Sequence, residues 1–127
     1  MPLVRISLIE GKPESYLQKL GDLVHGAMVE TISVPAQDRF QIITEHKKSH
    51  FIYDPAYLDI RRTDGLIIIQ ITLNQGRTVE KKRALYRRIA ELLQQEMNVR
   101  KEDVLVSLVE VAKENWSFGN GEAQYAT

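Results

Sequence analysis

Three kinds of side chain in this sequence have the type and placement to act on a small molecule. They are a proline behind the initiator methionine, charged groups at element boundaries, and two aromatic rings in a glycine-rich tail. Pro2 directly follows Met1. Removal of Met1 leaves a secondary amine that carries no acyl group, so unlike an internal proline nitrogen it can accept a proton. An unperturbed α-amine titrates at about 7.7–8.0, and burial lowers that value. Such a group serves near neutral pH as a general base or acid, or attacks a carbonyl. If Met1 stays, the nitrogen is an amide with no basicity.

Two charged residues are candidates to join it. Asp38 follows Val34-Pro35-Ala36-Gln37 in a turn. It is either a turn-capping carboxylate or a partner for the amine. Arg77 stands just before a helical segment, where the first free amides also favour anions. Its planar guanidinium can hold a carboxylate by two hydrogen bonds, or it is an ordinary surface arginine. Trp116 and Phe118 flank a serine in the glycine-containing tail and form either a core plug or a pocket wall. His25 falls inside the first helix, at a partly buried or surface position. His46 and His50 lie in a lysine-containing loop, and a chain without cysteine offers no firm metal-ligand set, so neither a metal nor a cofactor is expected. The cluster Lys81, Lys82, Arg83, Arg87 and Arg88, balanced by Glu80, Glu91 and Glu96, reads as a solvated helix face.

A tandem organisation emerges when the chain is slid against itself by 65 positions. Leu3-Val4-Arg5-Ile6-Ser7-Leu8 then lies over Ile68-Ile69-Gln70-Ile71-Thr72-Leu73. Gly11 falls on Gly76, Leu20 on Leu85, Val34 on Val99, Asp38 on Asp103 and Glu45 on Glu110. Each half reads strand, helix, strand. Residues 3–9 and 66–73 are short and rich in aliphatic and β-branched side chains. Leu17, Leu20, Val24, Ala27 and Met28 recur at helical spacing over about 14–32, and Leu85, Ile89, Leu92 and Leu93 over about 79–97. Phe40–Glu45 and Val104–Val111 close the two units as strands.

A strand–helix–strand unit of this length implies a parallel pair joined by a right-handed crossover. Two of them predict an α/β (α+β) domain: one four-stranded sheet with both helices on one face. The pseudo-repeats run over about 2–46 and 66–111, with a tail over 112–127. Strands this apolar need cover on their second face as well, which points to self-association. The linker at 46–64 reads as a loop with a short strand at Phe51–Tyr53, limited by Pro55. The tail turns back on itself at Gly119 and Gly121.

Bulk composition narrows the partners. Seventeen basic and seventeen acidic side chains cancel, which gives no electrostatic case for nucleic acid or an anionic membrane. The absence of cysteine suits a reducing cytoplasm, no signal-peptide pattern opens the chain, and no apolar run approaches a membrane span. One domain of 127 residues acting on a small molecule is the expectation.

The amino-terminal Pro2 and two βαβ units together resemble the tautomerase superfamily, and within it the malonate semialdehyde decarboxylase branch. The opening Pro2-Leu3-Val4-Arg5-Ile6-Ser7-Leu8-Ile9-Glu10-Gly11 carries the likeness. So do His25-Gly26-Ala27-Met28-Val29, Val34-Pro35-Ala36-Gln37-Asp38-Arg39-Phe40-Gln41 and Asn115-Trp116-Ser117-Phe118-Gly119-Asn120-Gly121. The resemblance implies a homotrimer with sheets around a central axis. It also implies that Pro2 is the catalytic amine, that Asp38 sets its protonation, and that Arg77 binds a substrate carboxylate beside an apolar wall of Trp116 and Phe118. The branch carries a second arginine two positions before the one matching Arg77, and here that position is Gln75. Gln75 can donate an amide hydrogen bond but brings no charge, so the carboxylate hold is expected to be weaker. The expected activity is decarboxylation or hydration of a small oxo acid. The alternatives are keto–enol tautomerisation of 2-oxo acids of the phenylpyruvate type, and a non-catalytic trimeric binding module with a blocked amino terminus.

Overall fold

A computed structural model describes residues 2–126 of the chain. The first unit consists of β1 (Leu3–Ile9), α1 (Glu14–Ile32) and β2 (Phe40–His46). The second consists of β3 (Ile67–Asn74), α2 (Val79–Met97) and β4 (Val104–Val111). The offset of 65 carries into three dimensions: both helices have 19 residues and begin and end at equivalent positions. Gly11 and Gly76, equivalent in the two halves, make the strand-to-helix turn at φ +119° and +116°, where a Cβ would be strained. Ser33 and Asn98, equally matched, end the helices in the left-handed region at φ 59° and 56°. Thr78 caps α2 by accepting a hydrogen bond from the Lys81 amide at 3.2 Å, whereas Pro13 opens α1 without a side-chain cap.

The sheet order is β2-β1-β3-β4. Within each unit the strands run parallel, and the two units join through antiparallel pairing of β1 with β3. Val4, Ile6 and Leu8 alternate with Ile67, Ile69, Ile71 and Leu73 of β3 on the face that the helices cover. Leu20, Val24 and Met28 of α1 and Leu85, Ile89 and Leu93 of α2 close over them, all nearly inaccessible to solvent. Burying each such side chain contributes about 1.5–3 kcal/mol, so this layer dominates the stability.

The opposite face is only partly covered by the described residues: Phe118 lies against Phe40, and Ile52, Tyr53 and Tyr57 of the linker share a cavity with Ile68 and Leu105. Phe40 and Ile42 on the β2 edge are 51% and 43% exposed, and Leu105 and Val109 are exposed on the opposite edge, β4. Arg5 is at the centre of this face, paired in register with Ile42 on one side and Gln70 on the other.

The linker departs from expectation. Phe51–Tyr53 forms no strand, and the segment instead carries single turns at Lys48–His50 and Tyr57–Asp59. Phe51 is buried and Ile52 almost fully exposed, an alternation that imitates a strand. The chain then turns where the Asp54 carboxylate accepts from the Ala56 amide, so no ladder forms. Asp64 fastens the linker by accepting from the Tyr53 hydroxyl and pairing with Lys48 at 2.7 Å. The Lys48 ammonium and the Tyr53 hydroxyl hold its carboxyl below the usual range. The tail does fold back: Gln124 accepts from the Phe118 amide and donates to the Gly119 carbonyl, each at 2.8 Å. Among the described residues no helix is long and apolar enough to cross a membrane.

Candidate active site

The β1–β3 pairing decides where the candidate residues meet. Because those strands are antiparallel, the end of the sheet where β1 and β2 begin is the end where β3 and β4 finish. Pro2, immediately before β1, and Asp38, two residues before β2, therefore share an end with Arg77, beyond β3, and Trp116, beyond β4. Pro2 is buried and Asp38 half-buried. Met1 lies outside the described residues, so the state of the amino terminus is not part of this geometry.

Arg77 is half-buried and anchored to backbone on two sides. One terminal nitrogen donates to the Asn74 carbonyl at 3.1 Å, and the other reaches the Ile32 carbonyl at the last turn of α1 at 3.5 Å. Asn74 in turn accepts, through Oδ1, a 2.7 Å hydrogen bond from the Trp116 indole. One strand-terminal residue thus ties the guanidinium and the indole to the same end of β3. The preceding turn is held by Glu110, which pairs with Lys82 at 2.8 Å. Its carboxyl sits below the usual range because of the Lys82 ammonium first, with smaller help from the Gly76 amide and the Arg77 charge.

The aromatic rings form a wall. Trp116 and Phe118 stack with centroids 5.2 Å apart at 13°. Phe118 also contacts Phe40 at 6.2 Å and the edge of Tyr125 at 5.0 Å. Leu3, Phe40, Trp116, Ser117 and Phe118 line an open cleft of about 220 Å³, next to Pro2 along the chain and predominantly apolar. That volume suits a molecule of a few heavy atoms.

Gln75 lies exposed in the turn after β3, where its backbone amide donates to the Val111 carbonyl at 3.0 Å. Asn74, Phe40 and Tyr125 were not singled out by sequence reasoning. Phe40 carried a signal as a large ring opening a strand next to Asp38, and Tyr125 as a third ring near the glycine pair. Asn74 carried none, because a strand-terminal asparagine is ordinary. His25 is buried and not at a surface position. The counterpart of the site in the other half lacks its chemistry. Ile67 stands in the chain interior where Pro2 stands, so no amine is available there.

Comparison with known proteins identifies the family. Two models of tautomerase enzymes match the chain, one over residues 2–59 and the other over 38–119. The chain belongs to the tautomerase family. A probable tautomerase of Bacillus subtilis (strain 168), YusQ, is 52% identical over 124 residues, covering 98% of each chain. The structure of a malonate semialdehyde decarboxylase inhibited by 3-bromopropiolate, from FG41, superposes with a TM-score of 0.90. The two are 38% identical and the match covers 97% of this tautomerase and 93% of that chain. A second malonate semialdehyde decarboxylase superposes with a TM-score of 0.91 at 29% identity, over 97% of this chain and 95% of that one. That work describes decarboxylase and hydratase activities and includes a mutant whose first residue, a proline, is alanine. A fused 4-OT that forms a symmetric trimer shares the fold, with a TM-score of 0.79 at 22% identity over 97% of each chain.

Proposed function

We propose that this tautomerase-family enzyme uses the Pro2 amine, freed by removal of Met1, to decarboxylate a small 3-oxo acid of the malonate semialdehyde type, with hydration as the companion reaction. The observation that carries the reading is the convergence of Pro2, Asp38, Arg77 and the Trp116–Phe118 wall at one end of the sheet. Likeness at 38% and 29% identity to two malonate semialdehyde decarboxylases supports the substrate class.

In this mechanism Arg77 binds the substrate carboxylate through the N–H groups that its two backbone contacts leave over. The stacked rings exclude water from that carboxylate and favour its departure as neutral carbon dioxide. Pro2, protonated, donates a hydrogen bond to the aldehyde oxygen. Asp38 supplies the negative charge that favours the protonated amine. When the bond between the carboxylate carbon and the α-carbon breaks, its electron pair passes into the carbonyl. The resulting enolate oxygen is stabilised by Pro2, and protonation at the α-carbon gives acetaldehyde. The carboxylate must stand out of the carbonyl plane so that the breaking bond overlaps the π system, and two-point orientation by Arg77 and Pro2 supplies that geometry.

A second reading within the family is keto–enol tautomerisation of a 2-oxo acid by neutral Pro2. Uncharged Gln75 beside Arg77 and the 52% identity to a probable tautomerase favour it. Proton NMR of protein verified by mass to begin at Pro2 separates the two. Acetaldehyde from malonate semialdehyde, lost in Pro2→Ala, supports decarboxylation. Accelerated ketonisation of phenylenolpyruvate with no acetaldehyde assigns the enzyme to tautomerisation instead, and turnover of neither acid leaves the non-catalytic binding module.

We further propose that the open sheet face is the contact between copies in a homotrimer. Its exposed Phe40, Ile42, Leu105 and Val109 support this, as does the trimer formed by the fused 4-OT of the same fold. Analytical ultracentrifugation decides it.

A further inference from the structure

In both halves side chains brace the turn before the closing strand. In the second half the aspartate does it with its own carboxylate. Asp103 is buried, accepts from the Thr63 amide at 2.8 Å and the Thr63 hydroxyl at 2.5 Å, and has the Arg100 guanidinium 3.5 Å away. In the first half α1 grips the turn from outside. Arg39 pairs with Asp22 at 2.8 Å, and Gln41 donates to the Gly21 carbonyl at 2.8 Å. Both of those contacts lie after Asp38 in the chain. His25 grips inside the turn, its Nε2 being 2.8 Å from the Ala36 carbonyl oxygen, two residues before Asp38. The turn closes there with the Asp38 amide donating to the Pro35 carbonyl at 3.0 Å.

His25 carries a cost that its position alone does not explain. A carbonyl oxygen only accepts, so Nε2 bears the hydrogen of that bond. The other ring nitrogen, Nδ1, is buried with no hydrogen-bond partner among the described residues. Buried polar atoms without partners are destabilising and rare. The equivalent position in α2 is Ala90, which packs without that penalty. The polar ring is present in the half that has the amine and absent in the half that has Ile67 in its place.

We propose that His25 is a positioning residue for Asp38: by holding the Ala36 carbonyl it fixes the turn that aims the Asp38 carboxylate at the reacting end of the sheet. The proposal rests on the reading of Asp38 as the partner of Pro2. His25 touches neither substrate nor amine in this account and acts through the backbone of one turn. A misplacement of about 1 Å in catalytic geometry can cost about 100-fold in rate, so loss of this grip is expected to cost about 10- to 100-fold.

The test combines kinetics with backbone hydrogen exchange on the full-length chain beginning at Pro2. His25→Leu removes the donor at similar volume, His25→Ala covers the case in which leucine disturbs packing, and His25→Gln retains an N–H donor. On whichever acid the wild type turns over, the leucine variant is expected to lose about 10- to 100-fold in kcat with KM changed less than about threefold. Glutamine is expected to restore most of that loss. Amide exchange at residues 36–39 is expected to accelerate in the leucine variant while β3 stays protected. In the Asp38→Asn background, His25→Leu is expected to cost less than about threefold more, because the group it positions is already gone. Unchanged exchange at 36–39, unchanged kcat in both apolar variants, or full multiplicative losses with Asp38→Asn would each overturn the proposal. A wild type inactive on both acids removes the functional reading and the role of His25 with it, and the exchange data then report only whether the bond stiffens the turn.

Discussion

Replacing Arg77 by alanine tests the carboxylate site most quantitatively. A guanidinium has five N–H donors. Among the described residues two of them are engaged, one at 3.1 Å on the Asn74 carbonyl and one at 3.5 Å on that of Ile32, which leaves three for a ligand. A hydrogen bond to a charged partner is worth about 1.5–3 kcal/mol, and each 1.36 kcal/mol is tenfold in rate. Loss of one such bond therefore predicts a fall in kcat/KM of about 10- to 150-fold, and loss of a bidentate pair a larger one. Arg77→Lys keeps the charge but not the fork, so it should fall between wild type and alanine. The assay is steady-state turnover of the oxo acid by NMR, alongside urea unfolding to confirm that the fold persists. The two backbone contacts are modest ones at a half-exposed site, so the stability loss should stay near about 1–2 kcal/mol. Unchanged kcat/KM in a folded Arg77→Ala variant would refute the assignment of the carboxylate to this residue.

Three further outcomes follow from the geometry. Thr78→Ala removes the cap of α2 and should lower unfolding free energy by about 1 kcal/mol in urea titration, with little change in kcat. Glu110 has its carboxyl depressed by Lys82, so its contribution is present above the ordinary value of 4.5 and lost as pH falls through the lower folded value. The Tm difference between wild type and Glu110→Gln should accordingly be largest near neutrality and close up below about pH 4, and a constant difference across that range would contradict it. Ile42→Glu places a charge in the exposed apolar face without touching the helix-side core, and sedimentation should show monomer where the wild type shows trimer.

Much of the fold was legible because it is written twice. The helical spacing of Leu17, Leu20 and Val24 and its echo at Leu85 and Ile89 gave both helices, and Gly11 and Gly76 marked the turns that precede them. The antiparallel seam between β1 and β3 was not legible. Alternation reports which face of a strand is buried, and it is silent on which neighbour lies at its edge. That seam is nevertheless what brings Arg77 and Trp116 to Pro2 and Asp38. The Phe51–Tyr53 segment misled for the same reason, since its in–out pattern needs a partner edge that the Asp54 turn denies it. Asp38, Arg77, Trp116 and Phe118 could be singled out by type and by motif. Asn74 could not, because its importance comes from a bond to Trp116, 42 residues away in sequence. His25 looked like any residue of a helix face until the Ala36 carbonyl was found against its ring.

The central claim is that a free amine at Pro2 does the work, and the most direct measurement blocks that nitrogen. Turnover should be compared between chain beginning at Pro2 and chain in which Met1 is retained, each verified by intact mass. Retention of Met1 turns the Pro2 amine into an amide and moves the free amine one residue outward, onto a primary amine that carries a methionine side chain. Asp38, Arg77 and the aromatic wall are common to both chains. The account predicts that the chain with Met1 loses about 100-fold or more, the scale of general acid–base catalysis. Equal turnover by the two chains would contradict it.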